Sequence, residues 1–239
     1  MQVLLDYDNI PDPIRRNGAR YIADKVCLAL QLVAMTELLR DRRLDLRLYG
    51  GWYTGNNLSA AGQRLSADVQ NAFPFVLKSD PKNPNTAITV AANLAHSLVV
   101  LPKHTLYSTF RTRPGLEKVV CVHPSTLGCH VSNCPLQVVF DFFSTDRCPY
   151  VGCQITSGHL IRRRGEQKLV DTMMVADLMH LSHSGESAVA VVTADDDIWP
   201  GVISGMQLGA RIIHIWTKHH NRHPQYLNGV PGKYSRVAL

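Results

Sequence analysis

The chain has 239 residues, 45% hydrophobic and 18% charged, which excludes a wholly disordered protein and leaves room for one large domain or one domain with an insertion. No run of about 18 apolar residues occurs and the first residues read as a strand, so neither a membrane span nor a signal peptide is expected and a cytoplasmic location is the default. The formal net charge of +6 suits a polyanionic partner such as nucleic acid, although it also suits a plain soluble surface.

In chain order, residues 2–7 (QVLLDY) read as a buried strand that ends in Asp6, Asp8 and Asn9. A proline-containing loop follows, then apolar spacing that predicts one helix over about 19–40. Residues 44–53 (LDLRLYGGWY) predict a second strand, and 58–72 a helix. The segment TAITVAANLAHSLVVL fits either a helix or a strand; 103–113 and 136–143 (LQVVFDFF) read as strands. Residues 153–165 suggest a strand and a basic turn; then come a helix at 167–181, a strand at 188–194, a helix from Pro200 to about Leu208 and a strand at 210–217. This alternation predicts right-handed βαβ units and a parallel sheet. The remaining residues, 218–239, read as a mobile basic tail.

Three acidic motifs stand out: VLLDYDN, KLVDTMMVAD and VVTADDD. Two follow apolar strands, which delivers their carboxylates to the carboxyl edge of the sheet, where open α/β folds build their sites. Carboxylates gathered at one edge repel and call for a cation, and hard oxygen ligands suit Mg²⁺ or Mn²⁺. Alternation in the turn after residues 188–194 points Asp195 and Asp197 one way and turns Asp196 aside, while the Thr193 hydroxyl is placed to bond a neighbouring carboxylate. One of these acids would serve as a helix N-cap; three exceed that need. Asp171 falls in the first turn of its helix, where the helix dipole favours an acid for structural reasons alone. Asp177 lies six residues on, about 120° round the helix, so its expected tasks are orienting Asp171, holding a water or pairing with a basic residue.

Together and in this order the motifs resemble the NYN family of the PIN-like nuclease superfamily. LLDYDNI resembles its D-x-[DE]-N strand end, EQKLVDTMMVADLM its K-G-V-D helix, and VVTADDDIWPGV its S-G-D-x-D-[FY]-x-P strand end. RLYGGWY resembles the second strand and SGHLIRRRG the basic approach to the helix. The likeness covers roughly 1–55 and 155–217; Leu169 stands where glycine is usual, and Thr193-Ala194 where Ser-Gly is usual. The resemblance implies an α/β, PIN-like three-layer fold over 1–217, with a central parallel sheet of four or five strands flanked by helices. It implies a metal-dependent endoribonuclease acting on RNA, with Asp6, Asp171, Asp195 and Asp197 as catalytic Mg²⁺ or Mn²⁺ ligands and Asn9, Asp177 and Thr193 in support. Relatives of this kind often self-associate, which leaves a homodimer open. Two other classes compete: a non-catalytic RNA-binding module, and a metal-dependent DNA nuclease or phosphatase built on the same carboxylates.

Residues 114–154 read as a Cys-rich insertion in that domain. Cys129-x₄-Cys134 and Cys148-x₄-Cys153 form two matching pairs that suit a structural Zn²⁺ site, with Cys121, His123 and His130 as alternative ligands; the other reading is ordinary buried thiols, as for Cys27. Arg162, Arg163, Arg164 and Lys168 precede the acidic helix and suit an RNA backbone, or else a solvated loop. Lys218, His219, His220, Arg222 and His223 form a second basic cluster that reads first as a solvated terminus.

Overall fold

The structure is a computed structural model that describes residues 1–78, 87–112, 123–128, 130–156, 165–167, 169–217, 225–227 and 229–239. The chain divides into two compact units, one built from Met1–Phe110 with Gln167–Leu239, the other from Arg111–Glu166. The elements are β1 (Gln2–Asp6), α1 (Asp12–Arg15), α2 (Gly18–Val33), α3 (Met35–Asp41), β2 (Arg43–Tyr49), β3 (Tyr53–Thr54), β4 (Asn57–Leu58), α4 (Ala60–Ala72), β5 (Phe75–Lys78), β6 (Ala87–Leu94) and β7 (Phe110–Thr112). They continue with α5 (Pro135–Thr145), β8 (Gly165–Gln167), α6 (Val170–His183), β9 (Ala188–Thr193), α7 (Trp199–Gln207), β10 (Arg211–Trp216) and β11 (Tyr234–Ala238).

Among the described residues the central sheet has seven strands in the order β11-β10-β9-β1-β2-β6-β5. All neighbours are parallel except β5, which runs antiparallel to β6 along one edge. The first strand in sequence is thus central. The chain winds outward through β2 and β6 on one side, then returns and winds outward through β9, β10 and β11 on the other. Adjacent strands whose connections leave in opposite directions open a crevice at their carboxyl ends. Here those strands are β1 and β9.

Burial on both faces explains the near-continuous apolar strands, with all six residues of β9 buried. Val3, Leu5, Ala190, Val192, Ile213 and Ile215 pack on one side against α2 and α4 through Ile22, Val26, Leu30 and Leu65. Leu4, Val189, Val191 and Ile212 pack on the other against α6 and α7 through Met174, Leu178, Val202 and Met206. The period of two puts Asp6 and Thr193 on this second face, in line with Leu4 and Val191. Small residues bring α7 close to α6. A Cβ at Gly205 would lie 2.8 Å from Ser182 Oγ, and one at Gly201 3.2 Å from Val175 Cγ1.

A buried charge pair fixes α6 on the sheet. The Asp177 carboxylate accepts from Arg47 Nε (3.1 Å), the Tyr49 hydroxyl (2.6 Å) and the Val99 amide (2.7 Å). Arg47 also donates to the Ser97 carbonyl. Every polar group in this network therefore has a partner, the condition under which a buried ion pair is tolerated.

Several elements differ from the sequence expectation. The sheet has seven strands rather than four or five. The helix expected over about 19–40 is two, broken at Ala34. Arg211 of β10 holds that break, donating to the carbonyl of Val33 and pairing with Glu37. The segment 136–143 is helical rather than extended. Pro135 occupies its first turn, and Gln137 Nε2 reaches Asp141 at 3.1 Å, one turn on. The strand expected over 103–113 is confined to Phe110–Thr112. The expected tail is in part β11, whose hydrogen bonds come from β10 and whose Ser235 accepts from Arg211. Among the described residues, no helix is long and apolar enough to cross a membrane.

Replacing Asp177 by alanine leaves Arg47 buried without its counter-charge. A loss of roughly 3–5 kcal/mol is expected, read as a lower urea midpoint. Asp177→Asn, whose one amide oxygen can still accept from the Val99 amide while its NH2 donates to the Tyr49 hydroxyl, should lose less; equal losses in the two variants would contradict this role.

Candidate metal centre

Three carboxylates converge where β9 ends and α6 begins. One ligand oxygen from each of Asp171, Asp195 and Asp197 lies within 4.8 Å of the other two. Asp171 and Asp195 are half-buried and Asp197 is exposed, so the group opens to solvent. Among the described residues none of the three pairs with a lysine, arginine or histidine. Two unit charges at that distance repel by on the order of 1–3 kcal/mol between water-like and protein-like screening.

Local geometry explains how each acid arrives. Asp195 leaves β9 with an extended backbone and caps the short 3₁₀ turn Asp196–Ile198, its Oδ1 accepting from the Asp197 amide at 3.1 Å. Asp195 is thus an N-cap and a member of the group at once, its second oxygen without a hydrogen-bond partner among the described residues. Asp196 turns away and accepts from Trp199 Nε1 at 3.2 Å. Asp171 sits in the first turn of α6, behind Leu169, whose φ is 67°. A left-handed backbone at this point is natural for glycine and strained for leucine. The Leu169 side chain is 49% exposed, so packing offsets little of the strain.

The Asp171 carboxyl is pushed up to about 6, by burial first and then by Asp195, Asp6 and Asp197. The helix dipole favours the ion here, so desolvation and repulsion outweigh it. Burial also raises the carboxyls of Asp6 and Asp8, opposed by Asn9 in the first case and Arg15 in the second.

Asp6 lies outside the three-carboxylate group, although it is close enough to raise Asp171. Its Oδ1 accepts the amides of Asp8 (3.2 Å) and Asn9 (3.3 Å). Its Oδ2 accepts the Asn9 side chain and the Thr193 hydroxyl (3.3 Å). With both oxygens doubly engaged, Asp6 joins the ends of β1 and β9. Thr193 completes the junction: its Oγ1 also accepts the Asp195 amide at 3.1 Å. Asp177 lies apart, paired with Arg47 inside the core.

Residues the sequence reading did not single out also shape the site. His214 of β10 lies beneath it with Nε2 3.2 Å from the Thr193 carbonyl and Nδ1 3.0 Å from the Tyr234 hydroxyl. A carbonyl only accepts, so Nε2 carries the proton and Nδ1 accepts from Tyr234. Burial pushes His214 down to about 4, which keeps it neutral. Arg15 approaches Asp8 at 3.4 Å. The sequence signal for Arg47 and Tyr49 was present: polar groups on a buried strand require a partner.

Arg162, Arg163, Arg164, Lys168, Cys121 and Cys129, with Lys218, His219, His220, Arg222 and His223, lie outside the described residues. In the second unit Cys134 and Cys148 are half-buried and Cys153 is exposed. Among the described residues no group of three metal-binding side chains includes a cysteine. His123 is engaged by Ser125 and Phe140.

Two outcomes are expected of the metal-free protein. The folded pKa of Asp171, about 6, exceeds the ordinary 3.8, so the folded chain holds a proton that the unfolded chain has lost. The stability from this group is present at low pH and is lost as pH rises through about 6. Asp171→Asn should therefore raise the melting temperature at pH 7, and the gain should shrink toward pH 5; a lower melting temperature at pH 7 would refute this. Leu169→Gly should keep or raise the melting temperature, whereas Leu169→Val, branched at a left-handed position, should lower it.

Comparison with protein-family models, curated proteins and solved structures matches none of them to this chain.

Proposed function

We propose that the protein is a metal-dependent endoribonuclease of the NYN, PIN-like kind. The observation that carries this reading is the group formed by Asp171, Asp195 and Asp197: three carboxylates within 4.8 Å, open to solvent, with no basic partner among the described residues. A binding surface for RNA alone gains nothing from charges that repel phosphate.

The donor set fits Mg²⁺ or Mn²⁺. All three are hard oxygen donors, and Asp171, Asp195 and Asp197 would hold the ion between them. When bound, such a cation polarises a phosphate oxygen and acidifies a water for attack on phosphorus. The chain's own residues set the geometry. Asp171 enters from the helix, while Asp195 and Asp197 come from the turn after β9. Asp6 and Thr193 hold the two strand ends together beneath them.

RNA as the substrate is supported by the net charge of +6 on a chain that concentrates its acids in short motifs. The basic stretch Arg162, Arg163, Arg164 and Lys168, adjacent in sequence to the acidic helix, suits the phosphate backbone.

The test is cleavage of labelled RNA in Mn²⁺, Mg²⁺ or EDTA. Cutting in either metal and none in EDTA is expected, with activity falling at least about a hundredfold in Asp195→Asn. Metal-dependent cutting of DNA but not RNA would select the DNA nuclease. RNA binding without cutting would select the non-catalytic module.

A further inference from the structure

Tyr53, His96 and Tyr107 meet at the same carboxyl edge of the sheet, on the far side of β2 from β9. The Tyr53 and His96 rings are 5.5 Å apart and inclined at 72°; the Tyr53 and Tyr107 rings are 5.1 Å apart and inclined at 82°. The three come from separate segments: Tyr53 opens the hairpin after β2, His96 follows β6, and Tyr107 belongs to the loop between β6 and β7. Backbone bonds pin that loop. The Leu106 amide donates to the His96 carbonyl (2.7 Å) and the Ser108 amide to the Gly55 carbonyl (2.9 Å). The Tyr53 amide donates to Thr109 Oγ1 at 3.0 Å.

An exposed tyrosine alone requires no explanation. Here three further facts coincide. Tyr107 is 47% exposed although its loop is held in place. An edge-to-face pair uses at most one face of each ring, so Tyr107 keeps a face for another partner. Lys103 and His104 are exposed on the same loop and supply positive charge and polar contacts.

The rings are joined to the acidic motif through the chain. Tyr7, between Asp6 and Asp8, packs on Trp52 with ring centroids 5.6 Å apart, and Trp52 precedes Tyr53. β6 lies three strands from β9, where the acids gather, or about 14 Å at the usual strand spacing and about four nucleotides at stacked spacing.

We propose that Tyr53, His96 and Tyr107 form a stacking platform for unpaired bases of single-stranded RNA, placed a few nucleotides from the Asp171–Asp195–Asp197 group. Bases stacked within a duplex cannot reach such rings, so the platform selects single strands. Lys103 meets the backbone phosphates, and the His96 ring, packed edge-to-face against Tyr53, holds that ring in place. The choice of RNA rests on the nuclease reading; the stacking does not.

The test is binding of a single-stranded RNA octamer carrying 2-aminopurine, and of the matching duplex, to the full chain in EDTA. Anisotropy reports affinity and fluorescence quenching reports stacking. The single strand should bind more tightly and be quenched. Tyr107→Ala should weaken binding about tenfold and abolish the quenching, while Tyr107→Phe should stay within about twofold of the parent. The proposal is overturned by an absence of binding, by unchanged affinity and quenching in Tyr107→Ala, or by a duplex bound equally well. Cleavage by the parent protein in Mn²⁺ is scored separately. Tyr107-dependent binding without cleavage would remove the nuclease reading and keep the platform; cleavage with no effect of Tyr107→Ala would do the reverse.

Discussion

Asp177 accepts three hydrogen bonds in a place that water hardly reaches, and much of the molecule follows from that carboxylate. Its donors come from the side chains of β2 and from the segment after β6, so one helix is tied to two strands at once. Sliding α6 by a single turn, about 5.4 Å, would leave Asp177 and Arg47 buried and unpaired. The helix therefore docks in one register. Asp171 lies six residues nearer its N-terminus, about 9 Å along the axis, and emerges at the carboxyl edge beside β9. A charge pair in the core thus decides where an acid appears at the surface.

The carboxyl edge shows the opposite physics. There Asp171, Asp195 and Asp197 have no basic partner among the described residues, and the Asp171 carboxyl carries the cost as a raised pKa. The backbone is strained at Leu169, one turn from the same group. Local rules of charge pairing and backbone preference are kept through the core and broken together at this edge. Clustered violations of that sort are common where a site trades stability for function, which is why the proposed reading starts from this edge.

Fold topology gives the cluster its setting. β1 and β9 are neighbours whose connections depart in opposite directions, so no crossover covers their carboxyl ends. Asp6 and Thr193 bridge the two strands at that opening, and His214 supports the Thr193 carbonyl from below. The acids gather on the β9 side. The aromatic rings gather on the β2 and β6 side, so one edge carries carboxylates on one half and aromatic rings on the other.

Local pattern in the sequence determined β1, β9 and β10, because strands buried on both faces must be apolar almost throughout. It also determined the acidic motifs at strand ends and the turning aside of Asp196, since alternation along a turn is a short-range property. Tertiary structure alone decided how the acids divide their tasks. Asp6 and Asp177 are carboxylates like Asp171, yet their oxygens are occupied by Thr193, Asn9, Arg47 and Tyr49, and Arg47 lies 130 residues from Asp177. It also decided that β11 adds to the sheet, because a strand at an edge draws its hydrogen bonds from a neighbour its own pattern does not name. Periodicity records which face of a segment is buried; it does not record what is packed there, and desolvation and charge pairing depend on that partner.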